Sequence, residues 1–465
     1  MSCPWVNRVD FKSHEDFLQN CRLVYPEDFN FAFDVIDRIA AEDPNRRAMV
    51  WCNDHGEEHI FTMAEVARYS RKAANAFLSL GIRKGDPVML ILKRRYEYWF
   101  ALLGLCRIGA IAIPATNQLM KKDVVYRVKA ASVKMVLAVD DGDLLNVIEA
   151  AGQEVEIPIK GVVANVDRPG WVNFNQLAAA QPETVDEQFC LRHPAADDIM
   201  LLYFTSGTSG MPKMVCHGYK YPLGHVVTAV YWHCCSLGGL HLTVAETGWG
   251  KAAWGKIYGQ WMAGSALMIY DMDRFHADNL LRVVEKYRVT TFCAPPTIYR
   301  FLIKEDLSKY DFSSITHCTT AGEALNPEVF KQFYEATGHK IYEAYGQTEE
   351  VVICGTFPWM QIKPGSMGRA SFGHQVELIN EDGKPCEIGE EGEVAIRVTD
   401  GKPLGQFICY YRDPRATANV FRDGYYFTGD IAWQDEDGYF WYVGRADDVI
   451  KSSGYRIGPF EVRAP

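Results

Sequence analysis

A segment rich in hydroxyls and glycines, closed by a lysine, is the part of the sequence best suited to chemistry. It consists of Thr205, Ser206, Gly207, Thr208, Ser209, Gly210, Met211, Pro212 and Lys213. Glycines let backbone N–H groups approach an anion closely, hydroxyls donate further hydrogen bonds, and the lysine adds positive charge. The segment predicts a phosphate-binding loop; the alternative is a Ser/Gly-rich surface turn.

The spacing within this loop separates it from the Walker A motif. That motif requires Lys directly after Gly and Ser or Thr directly after Lys, whereas here Pro212 precedes Lys213 and Met214 follows it. A P-loop NTPase is therefore disfavoured.

The elements that position the loop follow an alternating pattern. Apolar runs of strand length occupy residues 88–92, 135–139, 200–204 and 267–270, and helical segments are predicted between them, at 62–80 and 279–287 among others. Another helix is predicted to begin after Asn326 as N-cap and to end at Gly338. This alternation is typical of an α/β fold, and repeated Asp-Gly and Glu-Gly turn signals after about residue 365 predict a β-rich part.

Composition limits the class of protein. The 465 residues suggest roughly two to four domains or subdomains, and 48% hydrophobic with 23% charged residues exclude wholesale disorder. A net charge of −11 disfavours nucleic acid as a partner. Thirteen scattered cysteines without a C-x-x-C pair indicate reduced thiols rather than disulfides or a zinc site. With no predicted signal peptide or membrane span, we expect a cytoplasmic protein.

Five further motifs follow the loop, and all six in this order resemble those of the adenylate-forming (ANL) superfamily. They are Gly322-Glu-Ala-Leu-Asn-Pro-Glu328, Tyr342-Glu-Ala-Tyr-Gly-Gln-Thr-Glu349, Gly392-Glu-Val-Ala-Ile-Arg397, Tyr426-Phe-Thr-Gly-Asp430 and the stretch from Gly444 to Arg456. Within this AMP-binding superfamily, the segments around Thr247 to Lys251, Lys363 to Gly368 and Ser452 to Pro459 are similar to medium-chain acyl-CoA synthetases.

The resemblance implies a large N-terminal domain over residues 1–446. This domain would contain two mixed α/β subdomains and a β-barrel-like subdomain at about 365–446. Residues 447–465 would form the hinge and the start of a smaller C-terminal domain. Members of the superfamily continue beyond this point to a lysine used in adenylation, so we expect a truncated chain with impaired adenylation.

The implied reaction is that of an ATP-dependent acyl-CoA synthetase. A small-molecule carboxylic acid attacks the α-phosphate of ATP, and acyl-AMP and pyrophosphate form with Mg²⁺ present. The thiol of coenzyme A then takes the acyl group. Two alternatives remain open: an adenylating enzyme that supplies a carrier protein, and an adenylation-only or ligand-binding remnant. The oligomeric state also remains open.

The resemblance assigns roles to residues of this sequence. Thr348, Glu349 and Lys213 would be catalytic, and Glu349 would hold Mg²⁺. The ATP-binding set would contain the loop 205–213 together with Gly322, Glu323, Glu343, Ala344, Tyr345, Gly346, Gln347, Thr348, Asp430 and Arg445. Coenzyme A would contact Ser453, Gly454, Tyr455 and Arg456, and Asp447 would be the hinge residue.

The acyl group would contact Trp249, Gly346 and Thr348. Acetyl-specific members carry a tryptophan at the position of Gly346, and it shortens the acyl pocket. Glycine is expected to leave this space open, which predicts an acyl group longer than acetyl; branched and aromatic acids also remain open.

Overall fold

The structure, a computed structural model, describes residues 3–164, 167–205 and 211–447, and the backbone of the paired strands Ile450–Ser452 and Tyr455–Ile457. Its architecture is mixed α/β, as predicted, with two large, mostly parallel sheets and a smaller antiparallel one. We name these sheets A, B and C.

Sheet A has nine strands in the described residues, and its central strands are parallel. In spatial order they are Arg369–Ala370, Cys354–Gly355, Ile341–Tyr345, His317–Ala321, Thr291–Cys293, Leu240–Thr243, Ala266–Asp271, Arg47–Asn53 and Glu58–Thr62.

Sheet B has eight strands in the same part of the chain, and two antiparallel strands form one of its edges. In spatial order they are Cys409–Tyr410, Lys213–Gly218, Ile199–Thr205, Ile111–Pro114, Pro87–Ile91, Met135–Val139, Ile159–Val163 and Val172–Asn173. The predicted runs at 88–92, 135–139 and 200–204 fall in this sheet, and the run at 267–270 falls in sheet A.

Sheet C is antiparallel and carries the β-rich part of the sequence. Its strands are Val376–Ile379, Gly392–Arg397, Tyr425–Gln434, Phe421–Arg422 and Phe440–Arg445. The first strand of sheet C begins at Val376, whereas Arg369–Ala370 pairs within sheet A and Cys409–Tyr410 pairs within sheet B. The β-rich subdomain at about 365–446 stays a prediction. The division of the chain at residue 446 stays a prediction.

Helices cover the faces of the large sheets. The α-helices of the described residues are His14–Asn20, Arg38–Glu42, Met63–Ser79, Glu97–Ile108, Lys121–Ala131, Leu144–Gly152, Phe174–Ala179, Tyr221–Val226, Lys251–Lys256, Gly259–Met262, Ala277–Tyr287, Pro296–Leu302, Pro327–Thr337 and Pro414–Val420. Short π-helical turns, Ala32–Asp37 and Val227–Trp232, and 3₁₀ turns, Glu187–Phe189 and Leu307–Lys309, complete the set.

Local sequence signals determine where several helices begin and end. Thr62 and Glu65 form a reciprocal capping box at the start of Met63–Ser79. The side chain of Asn326 caps Pro327–Thr337, and Gly338 ends that helix with φ +74°, a left-handed conformation that glycine adopts without steric cost. No described helix is both long enough and apolar enough to cross a membrane.

Candidate active site

Two neighbouring strands of sheet A bring the predicted adenine and acyl motifs together. His317–Ala321 and Ile341–Tyr345 are parallel, with Ala321 opposite Ala344. Because parallel strands end at the same edge of a sheet, the residues that follow them meet there. Gly322 and Glu323 follow the first strand, and Gly346 and Gln347 follow the second. These four residues line two adjoining cavities.

The smaller cavity, of about 540 Å³, contains nine of the nineteen predicted ATP-binding residues. The predicted residues in its wall are Gly322, Glu323, Glu343, Ala344, Tyr345, Gly346, Gln347, Asp430 and Arg445. The wall also contains residues to which the sequence assigned no role. Ala324, Gly365, Ser366, Met367 and Gly444 belong to quoted motifs, and Tyr442 and Val443 do not. The cavity thus lies between the edge of sheet A and sheet C.

Asp430 is the most heavily hydrogen-bonded acid in this cavity. Its carboxylate accepts hydrogen bonds from the hydroxyl of Tyr345 and the amide of Gln347, both at 2.5 Å, and from Arg445 at 3.2 Å. Arg445 lies directly opposite Asp430 on the paired strand. Burial raises the pKa of Asp430, and the guanidinium and these donors oppose that rise. An oriented carboxylate of this kind can accept hydrogen bonds from sugar hydroxyls.

Glu343 holds the wall of the smaller cavity together. Its carboxyl oxygens accept hydrogen bonds from the backbone N–H of Leu325 at 2.9 Å and of Gly365 at 2.7 Å. Burial raises its pKa to about 8, against these two hydrogen bonds. Both oxygens are engaged by loops of the protein, so the structure shows Glu343 positioning the cavity wall.

The predicted phosphate loop joins two paired strands of sheet B. Thr205 ends the strand Ile199–Thr205 and lies opposite Lys213, which begins the next strand. The carbonyl of Pro212 accepts a hydrogen bond from the hydroxyl of Tyr126 at 2.9 Å, and Met211 is exposed. Ser206, Gly207, Thr208, Ser209 and Gly210 lie outside the described residues.

Glu349 and Lys213 meet at Tyr410, a residue that the sequence did not single out. The hydroxyl of Tyr410 donates a hydrogen bond to Glu349 Oε1 at 2.8 Å, and Lys213 Nζ lies 4.9 Å from the centre of the Tyr410 ring. Burial raises the pKa of Glu349, and the contacts with Tyr410 and Lys213 oppose the rise. The site therefore contains a carboxyl group and an ammonium group held by one aromatic side chain.

Thr348 is fixed through its backbone. Its carbonyl accepts a hydrogen bond from Nε2 of His217, at 2.7 Å. Burial lowers the pKa of His217 to about 3, so this imidazole is neutral at physiological pH. The Thr348 side chain lies beside Gly250, where a Cβ would be 3.1 Å from Thr348 Oγ1.

The larger cavity, of about 930 Å³, contains all three predicted acyl-contacting residues, Trp249, Gly346 and Thr348. Trp249 is 62% exposed and therefore belongs to the open side of the cavity rather than to the core. Lys251 and Trp254, both on the helix Lys251–Lys256, also line this cavity. The sequence did not single out Trp254.

The space beside Gly346 differs from the expectation. A Cβ at Gly346 would lie 2.5 Å from the ring of Trp254, which is 6% exposed. The glycine is therefore required for close packing of this indole and does not leave the space open. A tryptophan fills this side of the pocket, but it comes from a helix that is distant in sequence.

The predicted hinge and coenzyme A residues lie at the end of the described chain. Asp447 is exposed, and its carboxylate lies 3.5 Å from Nε of Arg445. Ser453 and Gly454 lie outside the described residues. Tyr455 and Arg456 belong to the strand Tyr455–Ile457, of which only the backbone is described.

The fold and the two joined cavities define an α/β enzyme built to hold a nucleotide beside a second substrate. The chain belongs to the AMP-binding enzyme family, whose model matches residues 36–402. Acyl-coenzyme A synthetase ACSM3, mitochondrial, of Mus musculus is 38% identical over 98% of this chain and 79% of the relative. Acyl-coenzyme A synthetase ACSM5, mitochondrial, of Homo sapiens is 40% identical over 95% of this chain and 77% of the relative.

Solved structures agree with this family. The anthranilate CoA ligase AuaEII in complex with anthranoyl-AMP superposes with a TM-score of 0.84 at 25% identity, covering 94% of this chain and 82% of that one. An acyl-CoA synthetase of Brucella canis also has a TM-score of 0.84, at 27% identity, covering 97% and 83%.

The enzyme is an AMP-forming acid–CoA ligase that uses a carboxylic acid, ATP, Mg²⁺ and coenzyme A. The predicted superfamily, fold and reaction are confirmed, and the relatives do not favour the alternative of a ligand-binding remnant. The expected cytoplasmic location is wrong, because the relatives that match nearly the whole chain are named as mitochondrial.

Proposed function

We propose that this ligase activates a medium-chain or aromatic carboxylic acid, with AMP in the smaller cavity and the acyl group in the larger one. The observation that carries the proposal is that both cavities share Gly322, Glu323, Gly346 and Gln347. The bond between acyl group and nucleotide would form at this shared wall. The anthranoyl-AMP complex of the similar ligase supports an aromatic acid as one candidate.

Positioning and charge neutralisation would provide the catalysis of the first step. The substrate carboxylate is already a nucleophile, so a strong general base is not needed. Thr348, at the larger cavity, would orient the α-phosphate and the carboxylate, and Lys213 with the loop 205–213 would hold the β- and γ-phosphates. Asp430 would bind the ribose hydroxyls, with Arg445 beside them.

Glu349 fits the requirements of a magnesium ligand. Mg²⁺ in nucleotide sites takes one or two carboxylates and completes its shell with phosphate oxygens and water. A single carboxylate next to the phosphates, as Glu349 would provide, matches this arrangement. When bound, the ion would neutralise charge on the phosphates, while Tyr410 holds the carboxylate in place.

Trp254 would limit the depth of the acyl pocket. Its ring packs against Gly346 and makes an edge-to-face contact with Trp232, with ring centres 6.0 Å apart. An acyl chain would therefore extend along the cavity walls away from Gly346.

In the second step, residues 453–456 would border coenzyme A after a rotation about Asp447. We place the enzyme in the mitochondrion, because its relatives are named as mitochondrial.

Acid-dependent ATP–pyrophosphate exchange and acyl-CoA formation with a panel of acids test the proposal. We expect kcat/KM for hexanoate, octanoate or benzoate to exceed that for acetate. Trp254→Ala should raise the preference for octanoate over butyrate by about tenfold, because one or more methylenes gain space. Trp433→Ala, at a stacked tryptophan pair of sheet C, is the matched control. Higher kcat/KM with acetate than with the longer acids would refute the proposed substrate class.

A further inference from the structure

Two cysteines lie directly opposite each other on paired strands of sheet B. Cys216 belongs to the strand Lys213–Gly218 and Cys409 to the antiparallel strand Cys409–Tyr410. Both are free thiols. Directly opposed residues of an antiparallel pair have Cα atoms about 4.5–5.5 Å apart and side chains on the same face. This separation is within the range that a disulfide can bridge.

The pair is distinct from the other cysteines of the protein. Among the strand pairs that the structure describes, only this one sets two cysteines opposite each other. Cys216 is buried, whereas Cys409 is half-buried on an edge strand of only two residues. A small reagent can therefore reach Cys409 first, and the buried partner can react second.

The surroundings activate one of the two sulfur atoms. The pKa of Cys409 is lowered to about 7, because the hydrogen bond from the thiol of Cys216 and the ammonium of Lys402 together outweigh burial, which raises it. The same hydrogen bond and burial raise the pKa of Cys216. Lys402 is held at this edge by its hydrogen bond to the carbonyl of Ile408, at 2.9 Å. Thiolates are the reactive form of cysteine, so Cys409 is the nucleophile of the pair.

We propose that Cys216 and Cys409 form a redox modification site, at which a peroxide converts the two thiols into an intramolecular disulfide that impairs adenylation. The Cys409 thiolate attacks one oxygen of hydrogen peroxide, so that an S–O bond forms, the O–O bond breaks and hydroxide leaves. This hydroxide takes the proton of the Cys216 thiol and becomes water. The Cys216 sulfur then attacks the sulfenic sulfur of Cys409, the S–S bond forms, and the second oxygen leaves as hydroxide, which takes up from solvent the proton that Cys409 had released. Two thiols are oxidised by two electrons, and one peroxide is reduced to two waters.

The link to adenylation lies in the residues that adjoin the pair. Tyr410 follows Cys409 directly and donates its hydroxyl to Glu349, and Lys213 begins the strand that carries Cys216. A disulfide requires Cβ atoms about 3.8 Å apart, closer than the usual 4.5–5.5 Å between opposed residues, so the strands must move together. A displacement approaching 1 Å at the phosphate-binding groups is expected to slow adenylation at least tenfold.

Thiol mapping and exchange assays on the full chain test both parts of the proposal. The reduced protein is treated with hydrogen peroxide, blocked with N-ethylmaleimide and digested without reductant for mass spectrometry. We expect one linked peptide pair containing Cys216 and Cys409, and a loss of at least tenfold in ATP–pyrophosphate exchange that dithiothreitol reverses. The exchange rate of the reduced protein measures the proposed function separately from this modification.

Single substitutions identify the sulfur atoms involved. Cys409→Ser, at the sheet edge, should prevent both the linked peptide and the loss of exchange, and Cys216→Ala should do the same. Cys190→Ser is the matched control, because Cys190 is also half-buried and should leave both effects intact. Absence of the linked peptide from peroxide-treated wild type would overturn the proposal. Complete linkage with exchange within twofold of the reduced protein would overturn its effect on adenylation.

Discussion

Asn in place of Asp430 is the most direct test of the nucleotide site. Asp430 is only 4% exposed, and protein donors already point at both of its carboxylate oxygens, with Tyr345 and Gln347 on Oδ2 and Arg445 on Oδ1. The weakest contact is the hydroxyl of Tyr442 at 3.4 Å, which a ribose hydroxyl can replace. Asp430→Asn removes the charge and turns one acceptor into a donor.

The magnitude follows from one charge-assisted hydrogen bond. Such a bond contributes about 1.5–3 kcal/mol, which corresponds to roughly 10- to 150-fold in affinity. We expect the Kd of ATP, measured by titration calorimetry, and KM for ATP in pyrophosphate exchange to rise by this factor. The carboxylic acid does not touch Asp430 in the proposed arrangement, so KM for the acid should change by less than threefold.

Asp437→Asn is the matched control. Asp437 lies in the turn between the strands Tyr425–Gln434 and Phe440–Arg445. Its side chain is 71% exposed and pairs with Lys363 at the surface, where an ion pair contributes little. The control should retain wild-type Kd for ATP. If Asp430→Asn folds with an unchanged melting temperature and binds ATP within threefold of wild type, the assignment of the ribose site to the smaller cavity is incorrect.

Two further predictions concern stability. The side chain of Arg107 is 1% exposed, and its guanidinium donates two 2.7 Å hydrogen bonds to Asp37. Asp37→Ala leaves this charge buried without its partner, so it should lower the free energy of unfolding in urea by about 3 kcal/mol. The control Asp43→Ala, at an exposed ion pair, should lower it by under about 0.5 kcal/mol. The pKa of Glu343 rises from 4.5 to about 8 on folding, so between these pH values the folded state retains a proton that the unfolded state loses. The free energy of unfolding should therefore fall by several kcal/mol as the pH rises from 4.5 to about 8. Glu343→Gln should flatten this pH dependence, and an unchanged slope in the variant would contradict the prediction.

Local sequence predicted much of the fold, and the resemblance predicted nine of the sixteen residues in the wall of the smaller cavity. The capping residues around Thr62 and Asn326 act within one helical turn, so their effect can be predicted without tertiary information. The apolar runs predicted strands because both faces of a parallel sheet are buried. The motifs after His317–Ala321 and Ile341–Tyr345 could be predicted to meet only because the resemblance supplied their roles.

The sequence by itself predicted a phosphate-binding loop, because this ability belongs to side-chain types at short spacing, and the resemblance to family motifs predicted the sugar and metal ligands. Only the tertiary structure decided that Tyr410 holds Glu349, that Trp254 fills the space beside Gly346, and that Cys409 faces Cys216. Each of these contacts joins segments more than 60 residues apart. Neither the hydrophobic periodicity of a segment nor its helix or strand propensity encodes such a contact, because the contact depends on how whole strands pair and helices pack.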